Sequence, residues 1–463
     1  MPALDNPLNW TLLTNSLIVS ALATFLATIA GFGAALALAS AHPKWRRCLL
    51  VAVVVAVAMP PFLVANSWLD LLGPKGVLRH VLPFNLHSLG ATAALLASLT
   101  WPLTTLLTIG AWTRLEPQQL ESDPLLRGCG LLRWLLWPMA RTGVFQAALL
   151  TFVLALNNFS VPVIFQVPVF PEELWLAFTT RLNDAGAWAA AIPTILVPLV
   201  LVLLLRRSEI SWPRIQGSAT SAALQRQLGP VLFMATVILT AALLGLSLGV
   251  PLVQIAGSRR TWIELPTFLR ASPDVVLNSF IFASAAATVC VAAGLALRRL
   301  PLGVVSWIPF LIPGVLLGRL AITTLNGTIF YPSSGLIILL FAFRYLAIGW
   351  SGASIAFRSM DRNLTDVARL GGARGWALFR HVQWPQVAPF LAAAWYAIYL
   401  LCLWDVETLV LIQPAGGETL AVRIFNLLHY GHNAQVNALC VTLLALASMP
   451  LLLWRIGQWI ARR

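Results

Sequence analysis

Apolar residues recur along this chain in runs of about twenty, and the polar residues collect in the shorter intervals between them. Eleven such runs fall near 15–41, 48–72, 88–112, 142–166, 185–205, 229–253, 275–297, 302–323, 333–353, 387–412 and 434–454. A helix of that length covers a hydrocarbon core of roughly 30 Å. The pattern therefore predicts an all-α polytopic membrane protein with about 11 transmembrane helices.

One polar interval differs from the others. From Asp366 to Pro389 the chain reads DVARLGGARGWALFRHVQWPQVAP, with Arg369, Arg374, Arg380 and His381 between two apolar runs. Its front part predicts a short helix with Asp366 in the first turn, where a carboxylate suits the positive end of the dipole. Gly371 and Gly372 are placed to end it, since glycine tolerates the positive φ of a helix stop. A second amphipathic helix is expected with Trp376, Phe379 and Val382 on one face, and Pro385 and Pro389 open the next span. The expectation is a helix-turn-helix knuckle lying on the membrane surface.

The chain also repeats itself. TNSLIVSALATFLATIAGFGAALAL near the first run matches LNSFIFASAAATVCVAAGLAL near the seventh, setting Asn15 against Asn278 at an offset of 263. LLRWLLWPMARTG matches ALFRHVQWPQVAP, setting Pro138 against Pro385 at an offset of 247. Two parallel repeats of five core spans are expected, with the sixth run returning the chain to its starting side. The domains then run 1–205, 206–255 and 256–463, the middle one holding a basic linker (Arg206 to Gln227) and the linker span.

Composition narrows the class. With 59% hydrophobic and 10% charged residues over 463 positions, a soluble globule is excluded. The net charge of +14 lacks any basic patch interleaved with aromatics that would suit nucleic acid. It reads instead as the arginine bias of cytoplasmic loops. If the Asp366 loop is inside, most of the 30 basic residues fall inside with it. The N-terminus is then outside and the C-terminus inside. The five cysteines are scattered without metal or disulfide spacing, and the N-terminus lacks a basic region before its first run, which predicts a retained span rather than a cleaved signal. The 19 tryptophans mostly flank spans as interfacial anchors.

The Asp366 loop resembles the cytoplasmic "EAA" loop of bacterial ABC importer permeases, the MetI-like family. The family's acid, Ala-Ala, Gly and Pro spacing is matched by Asp366, Val367, Ala368, Gly372 and Pro385. AFRYLAIGW before the loop and LWDVETLVLIQPAGGETLAVRIF after it are similar to the fused, two-domain permeases of the ferric-iron type. There the matching positions are Asp405, Pro414, Gly416, Thr419, Leu420, Ala421, Arg423, Ile424 and Phe425. The resemblance implies ATPase coupling through Asp366, Ala368, Gly371, Gly372, Ala373, Arg374 and Pro385. The equivalent first-half loop, RLEPQQLESDPLLRGCGLLRWLLWP, departs from the pattern: Gln119, Leu120 and Glu121 stand at the triplet and Leu125 at the glycine. Gly128 or Gly130 is left to make the turn, and Glu121, Gly128 and Pro138 are the first-half coupling candidates. The first half also lacks the family's leading span.

The chain has two lysines, Lys44 and Lys75, and neither completes a GxxxxGK[ST] loop. No cofactor is expected in this chain; ATP and magnesium would be bound by a partner ATPase. The resemblance implies two cytoplasmic ATP-binding subunits, a periplasmic substrate-binding protein, and a bacterial inner membrane around the chain. Ferric iron leads as the transported solute, with thiamine, phosphonate and polyamine as alternatives.

Charges within spans usually face a pore or a partner. Asp405 and Glu407 are expected in the outer half of the tenth span, opposite Asn157, Asn158 and Ser160 of the first repeat. Arg344, inside the ninth span, is a candidate ion-pair partner for either acid, and the six residues are candidates for the translocation pathway. His429 and His432 have helical spacing but no nearby carboxylate, so they read as loop polarity rather than a metal site. An ion-driven secondary transporter would also use repeats and buried charges, but it needs no coupling knuckle. An intramembrane enzyme would need a catalytic set that the sequence lacks.

Overall fold

The computed structural model describes residues 10–73, 76, 78–80, 85–112, 115, 120, 126–158, 160–176, 184–205, 219–329, 331, 333–429 and 433–461. These residues form helices and turns and no strand. Gln119, Glu121, Leu125, His432 and 206–218 of the linker lie outside the described residues, as does the His429 side chain.

Eight of the described helices are long and apolar enough to cross a membrane, or ten if each of two bent pairs is one span. The protein is therefore a multi-pass membrane protein. The run at 185–205 is represented by the 22-residue helix Asp184–Leu205.

Two expected spans are broken. The run at 48–72 forms Pro43–Val57 and Pro61–Leu72, bent by 88°, and the run at 302–323 forms Val305–Leu311 and Gly314–Leu325, bent by 101°. Proline excludes the preceding residue from the helical region and donates no N–H. Pro60 (ψ 128°) and Ile312 (ψ 129°) are accordingly extended, each just before a proline.

The chain divides into two compact units: Met1–Arg270 with Ile424–Ser448, and Ala271–Arg423 with Met449–Arg463. The first is built on mutual packing of the helices Trp10–Ser40, Leu89–Trp112 and Trp137–Leu156. The second is built on the helices Pro273–Leu297, Ser334–Arg358 and Trp384–Trp404 in the same pairings. Glycine sets the closest approach in each. A Cβ on Gly31 would run into Thr104 and the Trp101 carbonyl, and one on Gly294 into the backbone of Gly349.

The sequence repeat reappears as repeated hydrogen bonds. Asn15 Nδ2 donates to the Pro168 carbonyl (3.1 Å), and Asn278 Nδ2 donates to the Gly416 carbonyl (2.7 Å). Ser16 Oγ accepts the Phe170 N–H at 2.8 Å, and Ser279 Oγ accepts the Leu420 N–H at 2.8 Å. Phe170 and Leu420 each begin a short helix. The Asn-Ser pair thus ties a loop to the first core helix of each unit and satisfies a helix-start N–H, a group that lacks an intrahelical partner.

Candidate functional site

The Arg362–Leu370 helix begins earlier than expected. Asp361 caps it, its Oδ1 accepting from the Asn363 N–H at 3.0 Å. Asp366 therefore sits mid-helix rather than in the first turn. Its 3.4 Å pair with Arg369 is exposed on both sides and contributes little. The helix ends in a Schellman turn: the Gly372 N–H bonds the Arg369 carbonyl and the Ala373 N–H bonds the Ala368 carbonyl. Gly372 takes φ 89°, which glycine permits, whereas Gly371 has an ordinary φ of −73°. Of the two glycines, Gly372 makes the stop. Arg374 is exposed and extended, just before the chain turns helical again.

The second helix of the expected knuckle is not separate. From Gly375 to Trp404 the chain is one 30-residue apolar helix with a π-turn at Phe379–Gln383. Pro385 has no N–H to donate and its ring presses on the preceding turn, and the wider π-turn absorbs both defects. Pro138 has the same device, a π-turn at Leu132–Leu136, at the offset of 247. Trp376, Phe379 and Trp384 form an aromatic run along this junction, with centroids 5.4 and 5.8 Å apart.

Leu364, Val367, Leu370 and Trp376 leave a broad apolar surface uncovered, with Leu370 89% exposed. Thr365 is buried on the opposite side of the helix. Gln386 fixes the pose: its Oε1 accepts the Asp361 N–H and its Nε2 donates to the Val382 carbonyl, both at 2.8 Å. One side chain thereby joins the cap of the exposed helix to the π-turn of the long one. The sequence offered no signal for this tie.

The first-half loop is occupied by the chain itself. Helix Ala219–Leu228, the end of the linker, buries Leu224 and Leu228 in a cluster with Leu115, Leu120, Leu131 and Leu136. Gln227 Nε2 donates to the Leu120 carbonyl, and the Gly128 N–H donates to the Gln227 carbonyl at 2.9 Å. Gly128, at φ 57°, makes the turn, while Gly130 lies in a helical turn. Pro138 opens the Trp137–Leu156 helix.

At the other end of the long helices the structure shortens the expected spans. Trp137–Leu156 stops before Asn157, and Trp384–Trp404 before Asp405, so Asp405 and Glu407 lie beyond the helix rather than within it. The cause is local. Asn158 Oδ1 accepts the Val161 N–H and Asp405 Oδ1 accepts the Thr408 N–H, both at 2.9 Å, which offers the backbone a turn in place of the next helical bond.

In the second unit this turn carries a buried ionic cluster. Arg344 Nη1 donates to Asp405 Oδ2 (3.0 Å) and Thr408 Oγ1 (2.6 Å), and Nη2 donates to Glu407 Oε2 (3.1 Å). Tyr345 and Thr408 hydroxyls each donate to Asp405 Oδ2 at 2.8 Å, and the Gly314 N–H donates to Glu407 Oε2 at 3.4 Å. Arg344 therefore pairs with both acids, and Glu407 in turn meets the start of the Gly314–Leu325 helix. A Cβ on Gly314 would overlap the guanidinium, so the bare backbone there makes room for it. Asn157 and Ser160 are buried and Asn158 half-buried. The structure thus brings Arg344, Asp405 and Glu407 together in one unit and Asn157, Asn158 and Ser160 in the other, and adds Tyr345 and Thr408.

No family model matches the chain. Curated proteins do. A proposed 2-aminoethylphosphonate transport system permease protein (PhnV) of Salmonella choleraesuis is 29% identical over 211 residues, 42% of this chain and 78% of that protein. Its namesake in Salmonella paratyphi A is 30% identical over 210 residues, 42% of this chain and 76% of that protein. The chain belongs to the ABC importer permease family. The diacetylchitobiose uptake system permease protein DasC of Streptomyces coelicolor is 26% identical over 212 residues, 44% of this permease and 73% of its own length. Each match spans less than half of this permease.

Proposed function

We propose that this chain is the fused permease of an ABC importer, with both transmembrane domains (1–205 and 256–463) in one polypeptide, joined by 206–255. Its eleven spans form two parallel repeats in a bacterial inner membrane, the N-terminus outside and the C-terminus inside. The observation that carries this reading is the exposed apolar surface of Leu364, Val367, Leu370 and Trp376 on a helix held in a fixed pose. Such a surface on a polar interval calls for a protein partner. The repeated Asn-Ser bonds and π-turns support the duplication.

The partner at that surface is a separate ATP-binding subunit, with ATP and magnesium held there and none in this chain. A second subunit faces the first-half loop, where the Ala219–Leu228 helix already fills much of the apolar surface. Coupling is therefore stronger through the second half. Nucleotide-driven closure of the ATPase then drives alternating access to the solute path. A soluble substrate-binding protein delivers the solute. The phosphonate relatives favour a phosphonate over ferric iron, thiamine or a polyamine. Asn157, Asn158 and Ser160 lie on the path, and the Arg344 cluster with Asp405 and Glu407 stiffens the second unit's share of it.

The test is co-purification with, and stimulation of, the ATPase expressed from the neighbouring gene, in wild type, Gly372→Pro and Asp366→Arg. Binding by wild type and uncoupling by the variants supports the reading. No ATPase binding, with uptake that collapses when the ion gradient is dissipated, overturns it in favour of a secondary transporter.

A further inference from the structure

Between the Pro230–Gly257 and Pro273–Leu297 spans lies a 13-residue helix, Arg259–Ala271. One residue, Ser258, separates it from the span before, and one, Ser272, from the span after. A helix about 20 Å long, tied so closely at both ends to spans, is confined to the membrane surface.

Its faces fit that place. Trp262, Pro266 and Leu269 are spaced at i, i+4 and i+7 and form one exposed apolar stripe, extended by Ile263. Trp262 is 48% and Ile263 59% exposed. Arg260 is exposed beside this stripe, and Arg259 and Arg270 are exposed on it at the two ends of the helix, where a long side chain can carry its charge up to the headgroups. No ion pair to these arginines occurs among the described residues. Thr261 alone is fully buried, on the opposite side.

We propose that Arg259–Ala271 is an interfacial foothold that seats Trp262, Ile263 and Leu269 among the acyl chains and binds anionic phospholipid headgroups through Arg259, Arg260 and Arg270. Its occupant is the lipid surface, and the assignment does not depend on which solute the permease moves.

The test uses the full-length protein in vesicles of phosphatidylcholine alone or mixed with phosphatidylglycerol. Cys48 and Cys129, the exposed cysteines, are replaced by serine; Cys290, Cys402 and Cys440 are buried and stay. A nitroxide is placed singly at Trp262→Cys, Leu269→Cys or Thr267→Cys. At 262 and 269, oxygen access should exceed nickel-chelate access, with the reverse at 267. Phosphatidylglycerol should deepen the first two labels, and Arg259→Gln, Arg260→Gln and Arg270→Gln together should abolish that deepening. Labels at 262 and 269 as open to nickel as the one at 267 overturn the proposal. So do labels shielded only when a soluble binding protein is added. Depth indifferent to both lipid charge and the arginines overturns the anionic-headgroup assignment.

Discussion

Asn158 and Asp405 close the same turn in the two units, each accepting an N–H from three residues ahead at 2.9 Å, yet one is neutral and the other sits in an ionic cluster. The turn therefore needs a short side-chain oxygen and not a charge. The charge in the second unit answers Arg344, whose own counterpart through the repeat is apolar. Ser88 and Ser333 each cap the third core span, accepting from Ala91 and Leu336. That register sets Arg344 against Leu99.

Arg344→Met should destabilise the protein by about 3–5 kcal/mol, because two buried carboxylates lose their counter-charge. Adding Asp405→Asn and Glu407→Gln should recover most of that loss, as an amide still closes the turn. Thermal unfolding in detergent of the single and triple variants checks both expectations.

Gln386→Leu should leave the fold intact and release the cap of the Arg362–Leu370 helix. The expected outcome is weaker ATPase stimulation with an unchanged melting temperature, and faster hydrogen exchange confined to 361–372.

Gly372→Val forces a β-branched residue to φ 89°. A penalty of about 1–3 kcal/mol falls on one turn, so binding of the ATPase should drop while the spans stay assembled. Gly371→Ala, at φ −73°, should be tolerated. Co-purification yields of the pair read this difference.

Gly294→Val should act on the core instead, because its side chain would collide with the Gly349 backbone of the facing helix. Loss of monodisperse protein on size-exclusion chromatography is expected, with no rescue by lipid.

Leu224→Asp should detach the Ala219–Leu228 helix from the first-half loop by burying a carboxylate without a partner. New protease cleavage near the linker is the readout, and digestion at Arg374 and Arg380 should be unaffected.

Much of the architecture could be read from the sequence because lipid leaves helices almost no competitor. Apolar run length located the long helices, and the Asn15/Asn278 and Pro138/Pro385 offsets matched the paired loop ties and π-turns. What escaped was decided by single groups acting locally or across the fold. Prolines at 60, 61 and 313 signal disruption, but not that a span folds back by 88° or 101°. The span ends at 157 and 405 were hidden because Asn and Asp turn the backbone within sequences that stay apolar. Arg344 was legible as a buried cation seeking an acid. The hydroxyls of Tyr345 and Thr408, the Gln386 tie and the docking of the linker helix were not, since each involves at least one partner well separated in sequence.

The unbroken run from Gly375 to Trp404 makes the exposed knuckle and the buried ionic cluster two ends of one lever. Thirty residues span about 45 Å, so a tilt of about 10° at one end displaces the other by roughly 8 Å. The π-turn carries the helix past Pro385 without a break, so the two ends stay on one continuous element. If the knuckle docks an ATPase as proposed, a displacement there is handed directly to the helix end that adjoins the ionic cluster.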